Sequence, residues 1–471
     1  MTSLWERFQG KNILITGGSG FLGTAIVYRL VTKAIEPGKI YIICRGGRQS
    51  AEKKWIQWLG SEADALLDAD NLVVVQGDLE TMDVDTALDG LKPELNVIIH
   101  VASTINLTRP LKQIKNMIVH ASMKLAELAT KCDNLERFVY VSTAYANSNL
   151  YQSRGTAHVM VEERIYTYGG DTTVDEFEEL VKFDEPVQFN EFVEQFPYAY
   201  TYAKHLTERL LQKKLGDQLL IVRPSIIGPA QSYPFGGYSM PLSTPSTLFS
   251  AAVMLTPSRS MVLATRASNP MTEATSDEVP VDVVADRLLA HLAYGTTGPV
   301  HAVSGRNALS IFQDWWQECM RERRLPWKVK PVWRPIDWRS PELHPISRTT
   351  VLFGTSFEFS EEKTADLLAT LEDEEQGEWE LHTKKTETDY DLSQRRQHIR
   401  YFTSLSVASN CPFAKFAKPG HGGVPELDHE KLNDFVAKLK QYAPEEAAPL
   451  AEKLRAAFDP DSQQTDVRDD L

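Results

Sequence analysis

The stretch "ILITGGSGFLG", Ile13 to Gly23, sets an apolar β-type run against a glycine-spaced turn that opens the helical pattern "LGTAIVYRLVTKA". At the spacing of Gly17, Gly20 and Gly23, the first glycine permits a tight turn and the second lets backbone approach a pyrophosphate. The third allows close packing of helix on strand. Ser19, Phe21 and Leu22 fill the same turn, and the unpaired N–H groups of a helix start favour an anion there. Glycines serving only the turn are the alternative. The position in the first strand–helix unit of the chain favours a nucleotide.

Beyond this turn the runs "KIYIICR", "NLVVVQGD", "NVIIHVAS", "RFVYVSTA" and "QLLIVRPS" alternate with helix-like segments such as "IKNMIVHASMKLAELATKC". This rhythm predicts an α/β fold, a doubly wound parallel sheet of the Rossmann type, over residues 1–230. An acidic insertion at 155–195, which is either a lid or a solvated excursion, interrupts it. From Gln231 the chain is rich in Pro, Gly and Ser, "QSYPFGGYSMPLSTPSTLF", and a change of regime is expected. A smaller, mostly helical substrate domain is predicted over 231–458, with residues around 277–305 returning to the first domain. A disordered tail is expected at 459–471.

Composition narrows the function classes. The 471 residues are 42% hydrophobic and 24% charged, ordinary for a folded protein. A formal charge of −14 argues against nucleic acid as the main partner. Cys44, Cys132, Cys319 and Cys411 are too dispersed for a zinc site or a disulfide framework, so no metal is expected and a reduced, cytoplasmic setting is. No apolar run reaches 18 residues and no signal-peptide pattern opens the chain, so a spanning segment is not expected.

The end of the second strand discriminates between cofactors. An NAD enzyme usually holds the ribose 2′-hydroxyl with an acid there, whereas "IICRGGRQ" offers Arg45 and Arg48, which suit a 2′-phosphate. NADPH is the expected cofactor, with a pair of solvated arginines as the alternative. Asp78, followed by Leu79, ends the third strand and either accepts from the adenine amino group or caps a helix. His100, Ala102 and Ser103 end the fourth, along the expected dinucleotide path, with His100 as lining only.

Strand five ends in "YVSTAYAN", which puts Ser142 and Thr143 at the carboxyl edge of the sheet, and "FPYAYTYAKHLTE", Phe196 to Glu208, follows. Four-residue spacing places Tyr200 and Lys204 on one helix face, while Tyr202 points away. Tyr198 and Tyr202, also four apart, are expected to stack together. Hydroxyl, tyrosine and lysine in this order supply the parts for hydride chemistry on a carbonyl. The hydroxyl orients the oxygen, Tyr200 donates a proton, and the Lys204 ammonium lowers the tyrosine pKa and holds the nicotinamide ribose.

With "VVQGDL", "VIIHVASTIN", "LLIVRPSIIGP" and "VPVDVVADRLLAH", these stretches fall in the order seen in extended short-chain dehydrogenase/reductases. Over roughly Lys11 to Gly305 the chain resembles the fatty acyl-CoA reductases of male-sterility type, relatives of thioester reductase domains. The resemblance implies NADPH-dependent reduction of an acyl thioester, carried by CoA or by a carrier protein, to the aldehyde and then to the alcohol. The first reduction gives a thiohemiacetal that expels the thiol. It further implies that Thr143 outranks Ser142 as the catalytic hydroxyl and that Pro224, Ser225 and Ile226 run beside the nicotinamide. Where relatives often open the helix after strand four with Asn-Val-x-Gly-Thr, this chain has Ile118 and Ala121, and Asn116 comes two residues early. The densest basic and aromatic stretch, "RERRLPWKVKPVWRP", Arg321 to Pro335, is either a docking edge for CoA phosphates or a solvated helix end. A dehydrogenase or epimerase acting on a ketone or sugar nucleotide, and an idle NADP-binding protein, are the competing readings.

Overall fold

A computed structural model describes residues 3–384, apart from 106, 108, 152–154, 156–157, 168–194, 241–242, 257, 324–326, 337–339, 341 and 344–355, and only scattered positions after 384. Most of the acidic insertion and the expected tail therefore lie outside the described residues.

The six apolar runs form strands β1 (Ile13–Thr16), β2 (Ile40–Cys44), β3 (Leu72–Gln76), β4 (Val97–His100), β5 (Arg137–Val141) and β6 (Leu219–Pro224). A seventh, β7 (Gly298–Ala302), joins them. All pair in parallel in the order β7-β6-β5-β4-β1-β2-β3. Apart from the half-buried edge strand β3, these strands are buried on both faces and so read as continuous apolar runs. Their two-residue period still divides the core. Ile13, Ile15, Ile40 and Ile42 face one helical layer, whereas Leu14, Tyr41 and Ile43 face the other. The strand order reverses between β1 and β4, where open parallel sheets bind ligands.

Helix α1 (Phe21–Lys33) leaves the glycine turn and α2 (Gly47–Leu59) follows β2. Helix α3 (Ala121–Ala129) continues a single helical turn, Leu111–Lys115, and a π-helical turn, Asn116–His120. Helix α4 (Ala199–Leu215) carries the tyrosine segment, and α5 (Pro245–Leu255) opens the region after β6. Helix α6 (Val281–Tyr294) packs on α1, and the buried Arg29 and Asp286 join the two through a bidentate pair at 2.9 Å. In the motif "VPVDVVADRLLAH", Asp282 accepts from the backbone N–H groups of Gln231, Ser232 and Tyr233, which accounts for the acid structurally.

A second apolar cluster joins α5 to α7 (Phe312–Glu322) and to a two-stranded unit, Ser260–Ala264 with Lys330–Arg334. The chain then returns. Ser356–Phe359 pairs with His158–Val161, the opening of the acidic insertion, so that part is built into the fold. Leu367, Trp379 and Leu381 enter the main core, where Trp379 stacks on Trp5 at 3.7 Å between centroids. Among the described residues no helix is long and apolar enough to cross a membrane.

Candidate active site

A cleft of about 410 Å³ runs along the carboxyl ends of the strands at the reversal point, within the range that takes small molecules. Its floor at one end is the glycine turn. Gly17 has φ +72°, and a Cβ there would lie 2.8 Å from the Ala102 nitrogen. A Cβ on Gly23 would run into the Gly17 carbonyl. Both positions are closed to any side chain, and Ser19, Gly20, Phe21 and Leu22 line the cleft beside them.

At the end of β2, Arg45 lines the cleft and Arg48 does not. The Arg48 guanidinium donates to Glu52 at 2.7 Å and to the Leu72 and Leu67 carbonyls, which turns it toward the β3 side. Sequence reasoning missed Lys54, which lines the cleft in its place and whose Nζ lies 3.3 Å from Ser19 Oγ. The signal was available in helix phase. Ala51 and Trp55 form the buried stripe of α2, and Lys54 flanks it. Asp78 and Leu79 also line the cleft, and Asp78 accepts from the Glu80 N–H at 3.1 Å, a local turn.

His100 sits behind the wall. Its Nδ1 is 2.7 Å from Thr16 Oγ1 and its Nε2 is 3.0 Å from Ser122 Oγ, whose hydroxyl donates to the Ile118 carbonyl. Ser122 therefore accepts from Nε2–H, Thr16 donates to Nδ1, and Thr16 Oγ1 accepts from the Ala102 N–H. Burial, with the Lys204 charge adding to it, pushes the imidazole down to about 3. It is a neutral strut that fixes the Ala102 backbone against Gly17.

At the other end of the cleft Ser142, Thr143, Tyr200, Lys204, Pro224, Ser225 and Ile226 come together as expected. Thr143 is the N-cap of a short helical turn, Ala144–Asn147. Its Oγ1 accepts from the Tyr145 N–H at 3.3 Å and donates to the Pro224 carbonyl at 3.4 Å. Ser142 Oγ is buried with no hydrogen-bond partner among the described residues, so on hydrogen bonding it is the freer hydroxyl of the two. Lys204 is buried, donates to the Val141 carbonyl at 2.7 Å, and lies 4.6 Å from the Tyr140 ring centroid and 6.0 Å from that of Tyr200. Desolvation lowers its ammonium to about 7, with Glu208 partly opposing the shift. Burial raises the Tyr200 phenol above its ordinary value, against the expected lowering. The physical reason is that Lys204 is itself desolvated and engages the tyrosine across its ring face.

Tyr202 faces away as expected. It is fully buried, 5.5 Å from Phe196. Tyr198 does not stack on it. As the extended residue ahead of α4 (φ −140°, ψ 146°), Tyr198 packs in a separate cluster with Tyr145 and lines the cleft. Ile105, Leu107, Met117, Tyr145 and Phe249, none singled out from sequence, add an apolar wall. The π-helical turn brings Met117 into that wall.

Arg321 and Arg323 lie off the cleft. Arg321 is exposed and pairs with Glu318. Arg323 is buried and donates to the carbonyls of Val253, Met254, Thr256 and Trp327, closing the carboxyl end of α5. Arg324 lies outside the described residues.

The model of the male sterility protein family, an NAD-binding domain, matches residues 15–288. The chain belongs to this family. Proteins similar to it include fatty acyl-CoA reductase 1 of Xenopus laevis, 31% identical over 310 residues. Human fatty acyl-CoA reductase 1 is 30% identical over 316 residues, and each alignment covers 62% of this chain and 56% of the relative. The chain thus spans about half the length of the curated relatives it matches. Among solved structures, the terminal R domain of a myxalamid PKS-NRPS pathway shares the fold with a TM-score of 0.51, at 17% identity, covering 77% of this chain and 85% of that one.

Proposed function

We propose that this male sterility family protein is an NADPH-dependent reductase of acyl thioesters that forms the aldehyde and, in a second round at the same site, the primary alcohol. The observation that carries this reading is one continuous cleft with a dinucleotide cradle at one end, Tyr200 and Lys204 beside two hydroxyls at the other, and an apolar wall next to them.

The residues present fit the cofactor. The backbone at Gly17 and Gly23 leaves room that any Cβ would fill. Gly17, Ser19, Gly20 and Leu22 would hold the pyrophosphate, Arg45 and Lys54 a 2′-phosphate, Asp78 and Leu79 the adenine, and Lys204 the ribose, with Pro224, Ser225 and Ile226 beside the nicotinamide. When bound, a reduced nicotinamide supplies hydride to a carbonyl carbon.

The chain's own groups do the rest. The buried Ser142 hydroxyl and Thr143 orient the thioester oxygen. Tyr200, whose raised pKa keeps it protonated at any ordinary pH, donates its proton as charge develops on that oxygen. Lys204, half charged near neutrality, supplies positive potential beside the phenol. The apolar wall of Ile105, Leu107, Met117 and Phe249 receives the acyl chain and keeps water from the reacting carbon.

The test is incubation of purified protein with NADPH and acyl-CoAs of several chain lengths. Absorbance loss and free thiol are followed together, with products identified by mass. One thiol released per NADPH oxidised is expected where the aldehyde leaves, and one per two NADPH where the alcohol forms. Ketone or sugar-nucleotide turnover without any thiol release would replace this reading.

A further inference from the structure

Asp277 is buried at the point where the chain passes from one short strand to the next, between Thr275–Ser276 and Glu278–Pro280. The first pairs with Ser310–Ile311 and the second with Ile226–Gly228, so the backbone on either side of Asp277 is fixed. Its Oδ1 accepts from Ser225 Oγ at 2.6 Å and from the Ser304 N–H at 2.8 Å, and its carbonyl accepts from the Ile226 N–H at 3.2 Å. Ser225 and Ser276 line the cleft. Asp277 does not, and faces a second cavity together with Glu162, Phe357 and Lys363.

These contacts fix the direction of a proton. Oδ1 takes the Ser304 N–H, so it is an acceptor whether the carboxyl is ionised or carries a proton on Oδ2, and the hydrogen between it and Ser225 belongs to the serine. A hydroxyl has a single proton and otherwise only lone pairs. With that proton committed to Asp277, Ser225 offers the cleft an acceptor alone. An acyl or aldehyde carbonyl also only accepts, so Ser225 cannot polarise it, whereas the carboxamide NH2 of a nicotinamide donates and matches. The Ser225 backbone is held as well, since its N–H donates to the Ala302 carbonyl at 3.2 Å where β7 ends. The backbone bond from Ile226 already joins this loop to Asp277, so the side-chain bond to Ser225 adds direction rather than attachment.

We propose that Asp277 is a positioning residue which, through Ser225, presents a fixed hydrogen-bond acceptor to the carboxamide of the bound cofactor and so restrains the nicotinamide beside Tyr200 and Lys204. This rests on the reading of the cleft as a nicotinamide site. It deepens that reading by naming the atom that meets the ring's amide nitrogen, Ser225 Oγ, and by giving a function to an acid outside the cleft. Asp277 touches neither cofactor nor substrate; it acts by holding the serine proton away from both.

The experiment measures Kd by calorimetry for the wild type, Ser225→Ala, Asp277→Asn and Asp277→Ala. The ligands are NADPH, its 3-acetylpyridine analogue, in which a methyl group replaces the amide nitrogen, and 2′,5′-ADP, which lacks the nicotinamide half. A lost hydrogen bond corresponds to about tenfold, so the wild type should bind the analogue about tenfold more weakly than NADPH. Ser225→Ala and Asp277→Ala should bind the two cofactors alike, through a loss confined to NADPH. Asp277→Asn, whose amide oxygen can take the same donors, should keep the discrimination. Binding of 2′,5′-ADP should be the same throughout, which reports an intact fold. Should Asp277→Ala lose 2′,5′-ADP, Asp277→Asn and Ser225→Ala decide the matter. A wild type indifferent to the analogue would assign Ser225 to a donor on the substrate and overturn the proposal, as would discrimination that survives Ser225→Ala or is lost in Asp277→Asn. A wild type that binds neither NADPH nor 2′,5′-ADP would instead overturn the reading of the cleft.

Discussion

Lys204 Nζ donates to the Val141 carbonyl at 2.7 Å while the Tyr140 ring lies 4.6 Å from it, so the ammonium is held by one backbone oxygen and an aromatic face with almost no water. Burial that brings this lysine down to about 7, from an ordinary 10.5, links it to stability. Between these two values the unfolded chain binds a proton that the folded chain does not, so stability should rise with pH from about 7 to about 10.5. Below 7 both states are protonated and the burial cost is fully present. Lys204→Met should remove that rise and stabilise the protein near neutral pH while abolishing turnover. Denaturant titrations of both proteins at several pH values check this, and parallel curves would contradict it.

Tyr200→Phe keeps the ring and removes the hydroxyl, so folding and NADPH binding should survive while turnover falls on the order of 10²- to 10⁴-fold. Tyr202→Phe is the control, since its ring is buried against Phe196 away from the cleft. Thr143→Ala should impair turnover more than Ser142→Ala, the order the family resemblance implies although Ser142 is the freer hydroxyl, and should also cost about 0.5–2 kcal/mol of stability, because Thr143 caps the turn at Tyr145. Thr143→Ser should restore both. Single-turnover rates with thermal melts distinguish these outcomes.

The cofactor end makes a prediction about three cations. Arg45→Ala and Lys54→Ala should each raise the NADPH KM roughly ten- to a hundredfold, the worth of a charge-assisted contact of about 1.5–3 kcal/mol, with far less change for NADH. Arg48→Ala should leave both unchanged, because that guanidinium is committed to Glu52 and to the Leu67 and Leu72 carbonyls. Steady-state kinetics with both cofactors are the check, and equal use of NADH and NADPH by the wild type would refute the 2′-phosphate assignment.

What sequence could carry follows from the same contacts. The six strands β1 to β6 were legible because burial between helical layers makes a strand an unbroken apolar run, and β3 keeps that run although it is an edge strand and only partly buried. The seventh, "GPVHA", holds a proline and a histidine, tolerated because β7 is an edge strand paired only with β6. Tyr200 and Lys204 were legible because helix period alone fixes their shared face. Distance from β2 alone does not separate Arg48 from Lys54; the phase of α2, readable from its buried Ala51 and Trp55, has to be added. Tyr198 looked like part of the helix, yet its extended backbone sends its ring elsewhere. Density of charge in "RERRLPWKVKPVWRP" said nothing about where each guanidinium points.

That last residue set gives the remaining prediction. Arg323 is buried and its donors reach the carbonyls of Val253, Met254 and Thr256, groups at a helix end that have no partner within the helix. Arg323→Ala leaves them unpaired at about 1–3 kcal/mol for each buried group, so the protein should melt at least several degrees lower. Helix α5 carries Pro245 and Phe249 into the cleft, so loosening its far end should raise KM for the acyl substrate while the NADPH Kd holds. Burial lowers the guanidinium only to about 10, so the variant's deficit should not depend on pH between 6 and about 8. Arg321→Gln, which keeps an exposed polar side chain beside Glu318 without adding a like charge, should change these far less. Matching losses in the two variants would return this stretch to the role of a charged docking edge.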